Sequence, residues 1–218
     1  MSAEVAQPQP QPVEAKEETT SNEVVEVPQE ITTKHPLQHR WTLWYDNPKK
    51  RNSAESWEEN LKLVYTFDTV EDFWCLYNNI LTPTKLSLGS NYHLFKEGIR
   101  PMWEDPVNAK GGKWIFTNTR SRRARLDESW LHVMLSLIGE TLHDEDDICG
   151  AVVSVRKSQD RIAIWSATAS AQELQKAIGR GFRSCLIDFN KNEVLKYQSH
   201  ADAAASGSSF QNEVMYEA

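Results

Sequence analysis

Short runs in which apolar and polar residues alternate recur along the chain from His35 onward. Period-two runs separated by turn-forming residues predict the strands of an antiparallel sheet with one buried face. The predicted strands are His39–Asp46, Leu61–Tyr65, Tyr92–Phe95, Lys113–Thr117, Ala151–Val155, Ile162–Trp165, Cys185–Phe189 and Val194–Tyr197.

Three other segments follow the 3.6-residue spacing of helices. The first opens at Thr69, with Asp72 three residues later as in a capping box. The second covers Asp127–Ile138 and ends at the following glycine, and the third covers residues 170–179, ending at a glycine as well. Strands and helices that are interspersed without strict alternation predict an α+β fold, with a curved antiparallel sheet of about eight strands backed by three helices. Residues 199–209 are rich in Ser, Ala and Gly and are predicted to form a loop.

Composition divides the chain into two parts. Residues 1–34 contain no aromatic residue and no glycine, and carry a net charge of −5 from seven glutamates and two lysines. Such a segment buries too little apolar surface to offset the entropy of ordering, so we predict a disordered, acidic Pro/Gln/Glu-rich tail before a single domain at residues 35–218. Since the whole chain carries −7, the domain carries only −2, and this small net charge does not argue against an anionic ligand.

Cysteine usage and the N-terminus bear on the compartment. The three cysteines, Cys75, Cys149 and Cys185, are odd in number, far apart and without zinc-site spacing, as expected of reduced thiols. The N-terminus lacks the basic and apolar regions of a secretory signal, and no apolar run has membrane-spanning length. We expect a soluble protein of the cytoplasm or the nucleus that does not bind a membrane.

Two tryptophans and one glutamate are candidates for ligand binding. Trp57 and Trp103 both lie in polar stretches between predicted strands, where core packing is harder to explain, and Glu104 follows Trp103 directly. Two indole planes can sandwich a base, a cationic base adds roughly 0.5–2 kcal/mol per face, and a carboxylate can accept hydrogen bonds from a guanine edge. Residue type alone gives core packing about the same weight as ligand binding at these two tryptophans.

Three further patterns have alternative explanations. Arg120, Arg122, Arg123 and Arg125 could attract nucleic acid, or could belong to a solvated loop. Residues 143–147 (HDEDD) are acidic but lack the glycine and the spacing of a calcium loop, so a solvated turn is favoured and no metal site is predicted. Residues 179–181 (GRG) lack the third glycine and the preceding strand of a dinucleotide-binding motif.

Four motifs resemble one family. Residues 35–41 (HPLQHRW), 67–74 (FDTVEDFW), 98–105 (GIRPMWED) and 149–153 (CGAVV) are similar to segments of the eukaryotic translation initiation factor 4E family, which binds the 7-methylguanosine cap of messenger RNA. The likeness runs from His35 to Ala218. The set of Trp41, Trp44, Trp57 and Trp74 resembles the main translation-initiating class of that family.

The resemblance implies a cap pocket on the concave side of the sheet. By that likeness, Trp57 and Trp103 sandwich the methylated guanine, Glu104 accepts hydrogen bonds from N1 and N2, and Trp165 contacts the N7-methyl group. The phosphate chain is assigned by the same likeness to Lys113, Arg156 and Arg161, where Lys113 replaces an expected arginine and Ser158 a common lysine. The ligand is the 7-methylguanosine triphosphate cap, and no cofactor is implied.

The resemblance also implies a surface for partner proteins. A scaffold initiation factor, and repressors that imitate it, present a helix with a Tyr-x-x-x-x-Leu-hydrophobic motif to the helical side of the domain. The matching positions are His35, Pro36, Val70, Trp74, Leu131, His132, Leu135 and Gly139, with His132 in place of the family's usual glutamate. Ser208 matches a regulatory phosphorylation site, with Ala205 where a lysine is common.

Three functions are consistent with these residues. The favoured one is a non-enzymatic factor that holds capped messenger RNA and recruits the scaffold factor, as a monomer within a larger initiation complex. The second is a cap-binding repressor with impaired scaffold binding, which His132 alone supports. The third is a cap-hydrolysing enzyme, which requires a metal-binding carboxylate cluster or a nucleophile that the matched phosphate positions do not supply.

Overall fold

One antiparallel sheet organises the chain. The computed structural model describes residues 33–47, 57–142, 145–190, 192–207 and 212–218, with Trp57, Arg120 and Glu145 described by their backbone alone. The strands in these residues are β1 (Pro36–Asp46), β2 (Lys62–Thr69), β3 (Asn91–Lys96), β4 (Gly112–Thr119), β5 (Ile148–Ser154), β6 (Gln159–Ser166), β7 (Lys196–Ser199) and β8 (Tyr216–Glu217). All neighbouring pairs are antiparallel, in the order β2-β1-β3-β5-β6-β4-β7-β8.

Five α-helices accompany the sheet within the described ranges. They are α1 (Trp57–Asn60), α2 (Val70–Asn79), α3 (Leu126–Ile138), α4 (Gln172–Cys185) and α5 (His200–Ser206). Single-turn or short 3₁₀ segments occur at Pro83–Lys85, Arg120–Arg125 and Glu145–Asp147. Among the described residues, no helix combines the length and the apolar character needed to cross a membrane.

Alternation along the strands gives the sheet a buried apolar face. A row of residues that pair in register crosses six strands: Leu43, Leu94, Ala151, Ile164, Trp114 and Tyr197. Phe73 of α2, Trp130 of α3 and Phe182 of α4 belong to the same buried cluster, so the three longer helices pack on this face. The predicted α+β fold, with three helices behind a curved sheet of eight strands, is confirmed.

The opposite face of the sheet carries polar side chains. Asp46, Asn91, Ser154 and Arg161 pair in register across four neighbouring strands. The next two rows toward the other end of these strands hold a small apolar cluster that includes Phe95, Val152, Ala163 and Trp165. This face supplies most of the candidate site.

The predicted start of the first helix is confirmed. Thr69 has extended backbone angles at the N-cap of α2, and its Oγ1 accepts a hydrogen bond from the backbone N–H of Asp72 at 3.2 Å. The same hydroxyl donates to Asp72 Oδ2 at 2.7 Å. The start of α2 could be predicted from the sequence because the cap requires only residues within one turn.

The predicted end of the third helix at Gly179 is wrong, since α4 continues to Cys185. A Cβ atom at position 179 would lie 2.8 Å from Cζ2 of Trp114, which is fully buried. The glycine therefore permits close packing of the helix on the sheet and does not end the helix. The motif at residues 179–181 is helical and is no phosphate-binding turn.

The predicted strand Cys185–Phe189 is also wrong. Cys185 is the last residue of α4, and Asp188 has a φ of 50°, which a continuous strand does not accommodate. The backbone N–H of Ile187 donates to Ser129 Oγ of α3 at 3.1 Å instead of to a neighbouring strand. Leu186 is buried in the core, whereas Phe189 is half-buried and packs against Phe116 of β4.

The C-terminal region contains two elements that the alternation pattern did not predict. Within the predicted loop at residues 199–209, α5 begins at a Ser199 cap that accepts from the N–H of Ala201 at 3.1 Å, and ends at Gly207 with a φ of 62°. The strand β8 is too short for a periodic signal and is held by backbone pairing to β7. The predicted tail, residues 1–34, lies almost wholly outside the described residues, and so does Ser208.

We predict that Gly179→Ala destabilises the protein although alanine favours helices. Helix propensity alone would stabilise by about 1 kcal/mol, but overpacking against a rigid core side chain costs roughly 1–3 kcal/mol. Chemical denaturation should therefore show a lower free energy of unfolding. Ala177→Gly, two residues earlier in α4, measures the propensity effect separately. A Gly179→Ala protein that is more stable than the wild type would contradict the packing argument.

Candidate functional site

A cavity of about 380 Å³ opens on the polar face of the sheet. Its lining residues alternate with core residues along the strands, as Lys113 and Ile115 do with Trp114 and Phe116 of β4. The lining consists of Asn91, His93, Pro101, Met102, Trp103, Glu104, Lys113, Ile115, Val152, Ser154, Arg156, Arg161, Ala163 and Trp165. The structure thus brings together six of the seven predicted ligand-binding residues.

Trp57 is the seventh, and its side chain is not described. The backbone of Trp57 begins α1, and the next residue, Glu58, forms an ion pair with Arg100 at 3.8 Å. Arg100 lies in the loop that carries Trp103, so positions 57 and 103 belong to neighbouring segments. The predicted sandwich of two indoles stays a prediction.

Two buried polar residues hold the loop that presents Trp103 and Glu104. The Asp105 carboxylate accepts hydrogen bonds from the backbone N–H groups of Arg100 at 3.0 Å and Val107 at 2.9 Å. The fully buried Asn108 donates from Nδ2 to the carbonyls of Arg100 and Met102, both at 2.8 Å. Residue patterns did not predict this scaffold, although an acid and an amide near a Trp-Glu pair were visible.

The loop leaves the Trp103–Glu104 pair at the rim of the cavity. The Trp103 indole is half-buried and the Glu104 carboxylate is exposed. Trp103 Nε1 donates a hydrogen bond to Glu104 Oε1, which orients the carboxylate beside the indole. A partly exposed aromatic ring and a carboxylate therefore lie at the same edge of the cavity.

Three cations line the cavity, and burial affects each of them. Burial, together with the charge of Arg161, lowers the pKa of Lys113 to about 8. Burial lowers the pKa of Arg156, although Asp46 and Asp160 oppose the shift. Burial and the neighbouring Arg156 lower the pKa of Arg161. The positive charges are thus partly dehydrated and repel one another, which favours an anion between them.

Trp165 forms the floor of the cavity near Lys113. Its ring packs against Phe95 in a T-shaped arrangement at 5.4 Å and against His200 at 4.1 Å, and Lys113 Nζ lies 6.0 Å from its centroid. Burial and the charge of Lys113 lower the pKa of His200 to about 3. His200 is therefore neutral near pH 7 and adds no charge to the site.

The predicted partner surface lies on the helical side. Trp74 of α2 remains 37% exposed while its ring edge packs on Phe73 and Tyr77. The start of β1 joins the two helices that carry this surface, because the carbonyl of His35 accepts from Val70 N at 2.9 Å and His39 hydrogen-bonds to Glu140, next to Gly139 at the end of α3.

The remaining predicted partner residues lie along β1 and α3. Pro36 pairs with Thr69 in the sheet, and Leu131 and Leu135 are half-buried on α3. His132 and Leu135 line a groove of about 610 Å³ that also includes Arg180 and Cys185 of α4. Glu71 accepts hydrogen bonds from the ring and the backbone of His35, and the ring contact is the main cause that lowers the pKa of Glu71 to about 2.

The alternative sites receive little support from the structure. Of the arginine cluster, three side chains pair with acids: Arg122 with Glu193, Arg123 with Asp160 and Arg125 with Asp188. Residues 143 and 144 of the acidic segment lie outside the described ranges. In the part of the chain that is described, no group of three or more His, Cys, Asp or Glu side chains could hold a metal ion.

We predict that Lys113→Met stabilises the free protein at pH 7. The folded-state pKa of Lys113 lies below its ordinary value of 10.5, so between about pH 8 and 10.5 the unfolded chain binds more protons than the folded one. The destabilisation that the charged Lys113 side chain causes is therefore largest below pH 8 and disappears as the pH rises through this window. Denaturation of both proteins should show a gap of about 1–3 kcal/mol at pH 7 that narrows by pH 10. A constant gap would contradict the shifted pKa.

Comparisons with known proteins point to one family. The family model described as Eukaryotic initiation factor 4E matches residues 36–215. Eukaryotic translation initiation factor 4E of Bos taurus is 47% identical over 94% of this chain and 93% of its own length, and the Homo sapiens protein is 47% identical over 94% of both.

Solved structures give the same result. The C. elegans eIF4E-3 complex with the 4E-binding protein Mextli and a cap analog has a TM-score of 0.76 and 40% identity, covering 85% of this chain and 100% of that one. Ascaris suum eIF4E-3 with the m7G cap has a TM-score of 0.75 and 39% identity, covering 84% of this chain and 97% of that one. This chain therefore belongs to the eukaryotic initiation factor 4E family.

Proposed function

We propose that this protein binds the 7-methylguanosine cap of messenger RNA and recruits a scaffold initiation factor. The observation that supports it most is the cavity in which Trp103 and Glu104 share a rim with a wall of three cations. A 7-methylguanosine cap carries a cationic base and an anionic phosphate chain, so its charges are complementary to both parts of this cavity. The cap-bound structures of the nematode relatives support the same ligand.

The base is recognised by its positive charge and by its edge. N7-methylation makes guanine cationic, and an indole face attracts a cation by roughly 0.5–2 kcal/mol beyond the stacking energy. We assign the two stacking faces to Trp57 and Trp103, the N1 and N2 donors to Glu104, and O6 to the backbone N–H of Trp103. Trp165, on the cavity floor, is assigned to the N7-methyl group.

The phosphate chain is assigned to the three cations. Arginine offers a planar fork to phosphate oxygens, whereas lysine offers a single mobile charge. Arg156 and Arg161 are half-buried and Lys113 is buried. A nearby anion therefore stabilises each of these charges more than it would stabilise a fully solvated cation. The cluster is closely spaced enough for its members to lower one another's pKa.

The scaffold factor is assigned to the partly exposed apolar strip of α2 and α3. A partner helix with the Tyr-x-x-x-x-Leu-hydrophobic motif would place its apolar face on Val70, Trp74, Leu131 and Leu135, beside His35, Pro36 and Gly139. The nematode relative that is bound to the 4E-binding protein Mextli supports such a surface. A repressor role with failed scaffold binding depends on His132 alone and is not favoured.

Several finer assignments belong to the same proposal. The protein acts by binding and not by catalysis, because the assigned phosphate contacts are cations and include no metal-binding carboxylate. It works in the cytoplasm or the nucleus, as a monomer within a larger complex. Ser208, beyond Gly207 at the end of α5, is assigned as a phosphorylation site.

We predict that the protein is retained on immobilised 7-methyl-GTP and is displaced by free 7-methyl-GTP far better than by GTP. Two cation–indole contacts of about 0.5–2 kcal/mol each correspond to a preference of roughly 10- to 1000-fold. Trp103→Leu should remove most of this preference. Equal displacement by both nucleotides would contradict the cationic-base mechanism, and release of nucleotide from capped RNA would indicate an enzyme.

We predict that Trp74→Ala abolishes binding of a scaffold-motif peptide while cap binding persists. Trp74 is 37% exposed and lies on the helical face, away from the cavity. Isothermal titration with the peptide and with 7-methyl-GTP measures both properties on one sample. Loss of 7-methyl-GTP binding in the same variant would show that Trp74 supports the fold and would contradict the surface assignment.

A further inference from the structure

A fully buried carboxylate lies next to the cation cluster. Asp46, the last residue of β1, pairs in register with Asn91 of β3 and has no exposed surface. Its Oδ1 accepts from Asn91 Nδ2 at 2.8 Å and lies 2.7 Å from His93 Nε2. Since an ionised carboxylate only accepts hydrogen bonds, His93 Nε2 carries the proton of this contact.

The carboxylate fixes which way the Asn91 amide points. Asn91 has one donor end and one acceptor end, and its two neighbours on either side are an acceptor, Asp46, and a donor, the Arg156 guanidinium. The amide therefore gives its Nδ2 to Asp46 and its Oδ1 to Arg156 Nη2, at 2.7 Å. A reversed amide would place donor against donor at Arg156.

The Asn91 oxygen in turn fixes the plane of the guanidinium. Arg156 Nη1 donates to the backbone carbonyls of Val155 at 3.0 Å, Ser90 at 3.2 Å and Gly89 at 3.3 Å. Nη2 is bound to a side chain, the Asn91 amide. Because the backbone carbonyls restrain one end of the fork, the amide at the other end determines how the remaining N–H groups face the cavity.

We propose that Asp46 is a positioning residue for the phosphate chain: by orienting the Asn91 amide, it holds the Arg156 fork ready to receive phosphate oxygens. The proposal rests on the proposed role of Arg156 in binding the cap phosphates. It adds a residue that does not touch the ligand and that residue patterns give no reason to select.

The two effects of Asp46 on phosphate binding have opposite signs. As a negative charge near the cations, Asp46 repels phosphate, so removing only the charge strengthens binding or leaves it unchanged. As the acceptor that orients Asn91, it favours phosphate binding, so removing the acceptor weakens binding. Asp46→Asn removes the charge but retains an acceptor oxygen of the same length. Asp46→Leu removes the charge and the acceptor and keeps the branched shape of the side chain, with two larger methyl groups in place of the two oxygens.

The experiment compares 7-methyl-GTP with the nucleoside 7-methylguanosine, each titrated against tryptophan fluorescence. The ratio of the two affinities measures the advantage that the phosphates give, and nucleoside binding reports whether the base site is intact. We expect Asp46→Leu to lower this ratio by about three- to tenfold, in line with the net contribution of one disturbed hydrogen bond. In the Asp46→Asn variant, which keeps the acceptor, the ratio should equal or exceed the wild-type value.

Asn91→Ala is the second variant, because it removes the acceptor of Arg156 directly and leaves Asp46 in place. It should lower the ratio by a similar factor, and adding Asp46→Leu to it should lower the ratio little further. A ratio that is unchanged in Asn91→Ala, or that falls equally in Asp46→Asn and Asp46→Leu, would overturn the proposal. Failure of the wild type to prefer 7-methyl-GTP over GTP would instead contradict the proposed function, so the two failures are distinguishable.

Discussion

The site depends on holding positive charge partly out of water. Lys113, Arg156 and Arg161 share one cavity, and burial is the main cause that lowers the pKa of each. Dehydrated cations of like sign are unfavourable in the free protein, and each becomes favourable when an anion enters between them. The same constraint explains why His200 beside Trp165 is neutral.

The fold accommodates these charges because apolar burial and the charged cavity lie on opposite faces of one sheet. The row from Leu43 to Tyr197 packs against three helices and supplies the apolar burial. The other face is then free to carry charges and a cavity. The loop with Trp103 is held by internal hydrogen bonds, since Asp105 and Asn108 pair with its backbone groups.

The sequence predicted features that depend on near neighbours and missed features that depend on distant ones. Period-two runs located most of the strands, and the Thr69 cap located the start of α2, because both signals are local. The continuation of α4 past Gly179 depends on close packing against Trp114, and the segment predicted as the strand Cys185–Phe189 hydrogen-bonds instead to Ser129 of α3. Among site residues, the Trp-Glu pair was already a candidate by residue type and position, and the cations were predicted through family resemblance. The link from Asp46 through Asn91 to Arg156 exists only after β1, β3 and β5 align.

The most direct test of the charge argument is the pH dependence of the advantage that the phosphates give. Tryptophan fluorescence titrations of 7-methyl-GTP and 7-methylguanosine at pH 7 and pH 9.5 would measure it, because proton exchanges on the shared base cancel in the ratio. Since the pKa of Lys113 is about 8 in the free protein, we predict that the ratio falls several-fold at the higher pH. A ratio that is the same at both pH values would contradict the account.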